Sequence, residues 1–599
     1  MTIETIDSIP NDTLVTFVGM VQDMYNPEYF VSEYTDATGA WRTTRYGDKP
    51  VDIGCEEGGD GLDARDGCSA GSCAERRFDE RHPVLVVPVP GQSDWVRERV
   101  REAAMVSMTN FRGPGSMSGK HDVGGPGASK RQLEGVSMEI DEGDRQGNEA
   151  TRPMGSVGGS VGEVGVAKKA VMLDASAGKQ QTTDKEKLNS TRDIPPGSCV
   201  IHFYHGNAVK LNEVVQVLGI ISRVPELASG AMHGIEDEDE GTLASRIPTS
   251  VAPRIHAISV RKLDVSGVLS PSNTTLSLES SGLGIGTREQ IVRYLTDVLE
   301  GDSLAAEYVL MQLVSRVHRR TQGGAGLIGG HGQDTHAQLG MAALNITGIS
   351  GDERTDSATT SGSSGRASLF ASHLGKALSL LMPSVVTLPL DINALNKQPW
   401  YPTKVNDNKS HEAALQLPGG TVVVLDETAM TAGQLTETGL KNLGAIQTMM
   451  KSQVLPYDFQ FYQLEQPTDQ PIIIVSMGRT MLKGAGEIQV ALARTGISTL
   501  DTNRHDMSYG GDVGAARRYI TTVRSMAFSI PQDLEKQIEN DMTEARKKDS
   551  TNVTAETFHS WLNLARLLCL SHGESVLSVE RWQQVLAMEA ERVKRISLV

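Results

Sequence analysis

The 599-residue sequence predicts a multidomain α+β protein, and three observations lead to this fold class. Short β-rich runs fill the first part of the chain, near-continuous apolar strands alternate with helical patterns in the second half, and the last segment is helical. The chain is also longer than the roughly 250–300 residues that one hydrophobic core usually serves. We therefore expect a β domain, an α/β domain and terminal helices, with low-complexity segments between them.

The β-rich part of the chain predicts a small barrel that is split by an insertion. Two of its runs flank the turn Asn26-Pro27 and predict a hairpin, while Gly219 predicts a strand bend or a close backbone approach. This pattern favours an OB-like barrel of five strands over residues 1–100 and 196–264, with another small β barrel or sandwich as the alternative. The predicted strands are 14–24, 29–35, 83–91, 199–204, 214–222 and 254–263.

Several segments lack hydrophobic periodicity and are rich in Gly, Ser or charged residues. The longest segment carries too little apolar surface to order itself, so we expect it to be disordered, and we expect the shorter segments to be insertions or linkers within or between domains. The segments are the long insertion 101–195, the acidic loop 229–248, the serine-rich linker 265–287 and the Gly/Ser-rich insertion 322–368.

The remaining part, residues 288–599, predicts an α/β domain that ends in helices. Two helices flank Gly301-Asp302, and two more begin near Thr554, a predicted N-cap, and Ser578. Apolar runs without alternation are typical of parallel strands that are covered on both faces. The predicted strands are 342–347, 384–390, 421–427 and 471–476.

One of these strands, in GGTVVVLDETAM (419–430), ends at the acidic pair Asp426 and Glu427. In P-loop ATPases such a strand holds one carboxylate near Mg²⁺ and a second near the attacking water. Ser476, at the end of the next strand, takes the position of a polar sensor of the γ-phosphate. The alternative for the acidic pair is structural, in which both residues close a buried strand and cap the turn that follows.

The matching phosphate loop is missing from the sequence. The loop should lie between the strand at 342–347 and the helix ASLFASHLGKALSLL, yet no Gly-Lys-Ser or Gly-Lys-Thr occurs there. Three Gly-Lys pairs exist elsewhere, Gly119-Lys120, Gly178-Lys179 and Gly375-Lys376, and none has the required spacing. We therefore expect a degenerate P-loop domain in which Asp426, Glu427 and Ser476 are vestigial, with no catalytic residue and no cofactor.

Charge and cysteine content limit the class of partner. The net charge of −17 disfavours a protein that coats nucleic acid and favours a protein partner. The sequence also lacks a signal peptide and a membrane-spanning run, so we expect an intracellular protein. Among five cysteines, Cys55, Cys68 and Cys73 cluster near His82. Because paired CxxC spacing is missing, structural or incidental thiols are favoured over a metal site.

Long strings of this sequence resemble the minichromosome maintenance complex-binding protein family in an unbroken order. The resemblance implies an OB-type front and an AAA+-like ATPase domain without a functional nucleotide loop, as in a relative of the replicative helicase subunits. The long insertion after Trp95, the Gly-rich insertion and the serine-rich linker depart from that pattern. The strings are LVTFVGMVQDMYNPEYF, LVVPVPGQSDW, KLNEVVQVLGIIS, PRIHAISVRKL, GDSLAAEYVLMQLVSRVH, VVVLDETAMTAGQL, YDFQFYQLE and FHSWLNLARLLCLSHGES.

The same resemblance implies a function. It points to a nuclear, non-enzymatic partner or chaperone of the minichromosome maintenance helicase subunits, bound to chromatin through them and acting in helicase assembly and unloading, DNA replication and sister-chromatid cohesion. Two alternatives belong to other classes: a cryptic ATPase and an OB-type single-stranded-DNA-binding protein. The missing phosphate loop weighs against the first, and the acidic charge with few aromatic residues weighs against the second.

Overall fold

The computed structural model describes part of the chain, and most of each predicted low-complexity segment lies outside that part. The expected disorder is wrong for residues 101–110, which continue a helix that begins at Asp94. The described residues are 9–35, 40–47, 76–110, 194–204, 209–224, 247–263, 285–322, 336–349, 367–404, 413–459, 461–482, 487–493, 509–549 and 553–597. The chain divides into two units, Met1–Met105 with Glu186–Val599, and Val106–Lys185. All the described strands belong to the first unit.

Strands occupy both parts of the described chain. Those of the first part are β1 (Leu14–Met24), β2 (Glu28–Thr35), β3 (Trp41–Thr43), β4 (Arg76–Val87), β5 (Cys199–Phe203), β6 (Val214–Ser222) and β7 (Arg254–Leu263). Those of the second part are β8 (Arg319–Gln322), β9 (His336–Leu339), β10 (Leu344–Thr347), β11 (Val385–Pro389), β12 (Val422–Asp426), β13 (Val454–Asp458), β14 (Gln463–Pro467), β15 (Ile472–Val475) and β16 (Ile488–Ala491).

Helices are concentrated in the second part. They are α1 (Asp94–Asn110), α2 (Ile285–Val298), α3 (Ser303–Val314), α4 (Leu369–Leu381), α5 (Ile392–Lys397), α6 (Glu437–Ser452), α7 (Val513–Ser525), α8 (Gln532–Lys548), α9 (Ala555–Ser571) and α10 (Val579–Ile596), with a 3₁₀ turn at Glu427–Ala429. The predicted N-cap Thr554 is confirmed, because its side chain accepts from the N–H of Thr557 within a capping box. None of the described helices is long and apolar enough to cross a membrane.

Five strands of the first part close into a barrel. The order is β1-β6-β7-β5-β4, and β4 pairs with β1 to close the ring, while β2 and β3 extend the sheet beyond β4. β5 and β7 run parallel, and the other neighbours in the ring are antiparallel. The interior is filled by buried residues such as Phe17, Val84, Ile201 and Val217. The barrel therefore has the expected strand number, and its assignment as OB-like remains a prediction.

The predicted hairpin between β1 and β2 is wrong. β1 pairs with β6 over Leu14–Met20 and with β4 over Met20–Met24, so the stretch next to the turn pairs with β4 and not with β2. β2 instead pairs with the first half of the 12-residue strand β4. β1 and β2 therefore both pair with β4 and not with each other. The expectation for Gly219 is confirmed: the register of β6 with β7 shifts there, and a Cβ at this position would lie 2.4 Å from the carbonyl oxygen of His256.

The second part contains a five-stranded sheet in the order β11-β12-β15-β10-β16, and all its strands run parallel. One face packs against α2, α3, α4, α7, α9 and α10, and the other against α5, α6 and the hairpin of β13 and β14. The four predicted strands and the cover on both faces are confirmed. β16 was not predicted, because Gln489 interrupts its apolar run, unlike the unbroken run of the equally short β15.

The barrel and the α/β part are joined by specific polar contacts. The N–H of Val385 donates to the carbonyl of Gly91 at 2.9 Å, and the indole of Trp95 donates to the carbonyl of Ser379 at 3.0 Å. Gly91 has φ +64°, and a Cβ there would lie 2.6 Å from the Val385 carbonyl oxygen. This residue must be glycine because strand β11 approaches its backbone so closely.

Candidate functional site at the carboxyl edge of the parallel sheet

Three neighbouring strands of the parallel sheet end in polar side chains. β10 ends at Thr347, β12 ends at Asp426, and Ser476 follows β15. Because β12 pairs with β15 and β15 pairs with β10, their carboxyl ends lie side by side. In open α/β sheets this edge is the usual ligand-binding position. The structure therefore places the predicted residues Asp426, Glu427 and Ser476 at one edge of one sheet.

Asp426 is fully buried, and both of its carboxylate oxygens accept hydrogen bonds from protein groups. Oδ1 accepts from the N–H of Thr428 at 3.0 Å and from its hydroxyl at 2.6 Å. Oδ2 accepts from the N–H of Ser368, the N-cap of α4, at 2.6 Å. A helix N-terminus at this position could bind phosphate, but here it donates to a carboxylate of the protein itself.

Glu427 is 8% exposed and also binds protein groups. Its carboxylate accepts from the hydroxyl of Thr480 and from the N–H groups of Met481 and Leu482. Burial raises the pKa of Glu427, and the hydrogen bond from Thr480 acts in the opposite direction. In this arrangement the side chain holds the loop that follows β15.

Ser476 fixes the other end of the same loop. Its Oγ lies 2.8 Å from Oδ1 of Asn345 and 3.0 Å from the carbonyl oxygen of Gly478. The hydroxyl of Thr347 donates to that carbonyl at 2.8 Å. The segment 476–482, which we call the edge loop, is thus held at both ends by buried polar contacts.

The edge loop exposes apolar side chains above these anchors. Met477 is 52% exposed and Met481 is 41% exposed, whereas Thr480 between them is buried. Methionine is flexible and polarisable, and it suits contact surfaces that must fit a protein partner. The carboxyl edge therefore combines a polar base, in which Asp426, Glu427 and Ser476 all contact protein groups, with an apolar exposed surface.

The Gly-Lys pairs do not complete a phosphate site in the described residues. Gly375 and Lys376 lie within α4, where a Cβ on Gly375 would be 2.4 Å from the hydroxyl oxygen of Thr387. This glycine serves the close packing of α4 on β11. The other two pairs, and residues 350–366 of the expected phosphate slot, lie outside the described residues.

Comparison with known proteins extends over nearly the whole chain. A family model described as Mini-chromosome maintenance replisome factor matches residues 1–596. The chain belongs to this family. The resemblance predicted from the sequence strings is thereby confirmed, and the matched region includes the barrel, the parallel sheet and the carboxyl edge.

Curated relatives agree with the family model. Each is named Mini-chromosome maintenance complex-binding protein, and each alignment covers 98% of this chain. The relative from Arabidopsis thaliana is 27% identical over 595 residues and is covered to 88% of its length. Those from Danio rerio and Homo sapiens are 28% and 29% identical over 619 and 632 residues, with 88% and 89% of their lengths covered.

In this family member sequence reasoning missed an acidic residue that lies outside the carboxyl edge but is influenced by the charge of Glu427. Glu487 directly precedes β16 and lies at the amino end of that strand. Its Oε2 is buried and has no hydrogen-bond partner among the described residues, and the same holds for Nδ2 of Asn345. Burial, with a contribution from the charge of Glu427, raises the pKa of Glu487 to about 7. No motif surrounds Glu487 in the sequence, so only its surroundings in the fold single it out.

Replacing Glu487 with Gln should stabilise the protein at pH 8 and leave it nearly unchanged at pH 5. The folded state favours the neutral form of Glu487. The stability that this preference gives the unmodified protein is fully present below pH 4.5, the ordinary pKa of a glutamate, and is lost as the pH rises through the folded-state pKa of about 7. Since the group is only half buried, we expect a gain of about 1 kcal/mol at pH 8.

The measurement is the difference in Tm between Glu487→Gln and the unmodified protein at both pH values. Glu437→Gln is the matched control, because Glu437 is exposed and Lys441 lowers its pKa. This variant should show no gain in Tm at pH 8. Equal Tm values for Glu487→Gln and the unmodified protein at pH 8 would contradict the assignment.

The predicted cysteine cluster falls outside the part of the chain that the structure describes. This applies to Cys55, Cys68 and Cys73, whereas His82 lies in β4 opposite Phe203. Among the described residues, no group of three His, Cys, Asp or Glu side chains could hold a metal. The described thiols are free and buried, and burial raises the pKa of Cys569 to about 12, so this thiol is not activated as a nucleophile.

Proposed function

We propose that this protein is a non-catalytic binding partner of the replicative minichromosome maintenance helicase. It acts as a chaperone in the assembly of that helicase and its unloading from chromatin, and through it in DNA replication and sister-chromatid cohesion, in the nucleus. The observation that carries the proposal is the family match over residues 1–596, with relatives that are named for binding this complex.

The fold gives this proposal a physical basis. A five-stranded barrel with one parallel pair supports an OB-like domain, and the parallel sheet with helices on both faces supports a degenerate P-loop or AAA+-like domain. Helicase subunits form rings by docking such domains against each other. A chain with the same architecture can occupy a subunit interface without hydrolysing nucleotide.

The carboxyl edge supports the non-catalytic part of the proposal. Both oxygens of Asp426 accept from protein donors, and Glu427 accepts from Thr480 and the backbone of the edge loop. A Mg²⁺ ion or an attacking water would have to displace these contacts. The exposed Met477 and Met481 instead offer apolar area to a neighbouring protein.

Replacing Glu427 with Gln should leave helicase-subunit binding intact. We expect no ATP turnover either before or after this substitution. In a working ATPase this change removes the base and retains its size, whereas here the side chain only holds the edge loop. The measurements are ATP hydrolysis by the purified protein and its affinity for helicase subunits, before and after the substitution. Turnover that Glu427→Gln abolishes would establish the cryptic-ATPase alternative.

The function itself is tested by affinity purification of the full chain from nuclear extract, followed by mass spectrometry. Recovery of several minichromosome maintenance subunits at moderate salt is the expected result. Their absence, while the purified protein remains folded, would refute the proposal.

The alternative of a single-strand binder receives little support from the barrel. Tyr29 and Phe78 are 59% and 56% exposed on the extension formed by β2, β3 and β4, and aromatic rings of this kind can stack on bases. However, three of the nearby arginines form salt bridges with carboxylates, which offset part of the positive charge that a phosphate backbone requires. These pairs are Arg77–Glu33, Arg45–Asp79 and Arg81–Glu28.

A further inference from the structure

The hairpin of β13 and β14 has a rigid base. It is inserted between α6 and β15, and side chains of its first strand, including Leu455 and Tyr457, are buried in the core under the parallel sheet. The carboxamide of Gln453 bridges the two ends of the hairpin, donating to the carbonyl of Gln470 at 3.0 Å and accepting from its N–H at 2.8 Å. The hydroxyl of Tyr457 also donates to Oδ1 of Asn212 on the barrel at 3.0 Å.

The tip of this hairpin exposes aromatic rings. Phe461 is 93% exposed and Tyr462 is 57% exposed, and Leu464 on the adjoining strand is 45% exposed. The ring of Tyr462 stacks on that of Phe459 with centroids 4.9 Å apart and an interplanar angle of 11°. The N–H of Phe459 donates to the carbonyl of Tyr462 at 3.0 Å. A tip held in this way loses little conformational entropy when it binds.

The charge of the segment distinguishes between kinds of partner. Asp469 lies at the base, where its Oδ1 accepts from the N–H of Val317 at 2.9 Å. Nearer the tip, residues 458–465 contain Asp458 and Glu465 and no Lys, Arg or His. A nucleic-acid backbone would be repelled by these carboxylates, since stacking surfaces for single strands are normally combined with cations. A protein pocket that is apolar at its centre and basic at its rim matches both the exposed rings and the carboxylates.

We propose that this aromatic tip, formed by Phe459 and residues 461–464, inserts into an apolar pocket with a basic rim on a subunit of the helicase. The proposal rests on the proposed function, because that function supplies the partner. Phe461 is the anchor, since it is the most exposed large apolar side chain of the described residues and a buried aromatic ring typically contributes most of the affinity at an interface. Glu465 contributes attraction to the basic rim.

The test compares the Kd of the full-length protein for purified helicase subunits with that of three variants. Phe461→Ser combined with Tyr462→Ser should weaken binding at least about tenfold. Glu465→Lys should also weaken binding, and its effect should be larger at low salt than at high salt. Phe78→Ser removes a similarly exposed ring from the barrel extension and should change the Kd less than about twofold. The Tm of each variant should remain within about 2 °C, because surface side chains contribute little to stability.

The possible outcomes separate the two proposals. If the unmodified protein binds and the double variant binds equally well, the tip is not the contact, and the proposed function stands. If the unmodified protein binds no subunit, the proposed function fails and the tip proposal fails with it. A single-stranded oligonucleotide should bind weakly and independently of the tip; tight binding that the double variant abolishes would assign the tip to nucleic acid and overturn the proposal.

Discussion

Replacing Val423 with Asp is expected to unfold the α/β part of the protein. Val423 is fully buried in β12, the second strand of the parallel sheet, between Val386 of β11 and Ile472 of β15. The new carboxylate would lie in an apolar cluster that includes Leu425, Ile446 and Ile474. Such a buried, unpaired charge costs about 3–5 kcal/mol or more, which is comparable with the entire stability of a typical domain, about 5–15 kcal/mol.

The control for this substitution introduces the same residue at an exposed apolar position. Leu440 is 60% exposed in the first turns of α6, where an acidic side chain also interacts favourably with the helix dipole. Leu440→Asp should therefore change the free energy of unfolding by no more than about 0.5 kcal/mol. Circular dichroism melting of both variants is the measurement. A cooperative transition at the original Tm for Val423→Asp would contradict the position of β12 in the sheet.

Replacing Asp302 with Ala is expected to lower the free energy of unfolding by about 3–5 kcal/mol. Removing one partner from a buried ion pair typically has an effect of this size. Asp302 is 3% exposed and caps α3 by accepting from the N–H groups of Leu304 and Ala305. It also accepts from the N–H of Ala493 at 2.8 Å, just beyond β16. Its two oxygens lie 3.0 and 2.9 Å from Nη1 of Arg595 in the last helix. One carboxylate thus links three separate elements.

The matched control removes an acid from an exposed pair. Glu33 lies 3.0 Å from Arg77, and the two side chains are 38% and 65% exposed. Glu33→Ala should therefore cost less than about 1 kcal/mol. Urea denaturation at neutral pH compares the two variants. Equal and small losses would show that Asp302 is not the link between α3, β16 and α10.

Local sequence determined most of the individual elements. Thr554 and Ser578 are capping residues before amphipathic runs, and both begin helices as predicted. The apolar runs without alternation became parallel strands because both of their faces are covered. The absence of a Gly-Lys-Ser/Thr loop is also a property of the sequence alone.

Tertiary structure decided which elements meet and what the acidic residues contact. The turn at Asn26-Pro27 predicts a change of chain direction, but the pairing of β1 and β2 depended on competition from the distant strands β4 and β6. Likewise, Glu427 contacts Thr480, which is 53 positions away in the sequence. The charge of Glu427 also acts on Glu487, which is still more distant along the chain. Sequence periodicity indicates which residues of one helix or strand are buried and which are exposed. Long-range partners are selected by packing and hydrogen-bond satisfaction in the whole fold, which no local pattern contains.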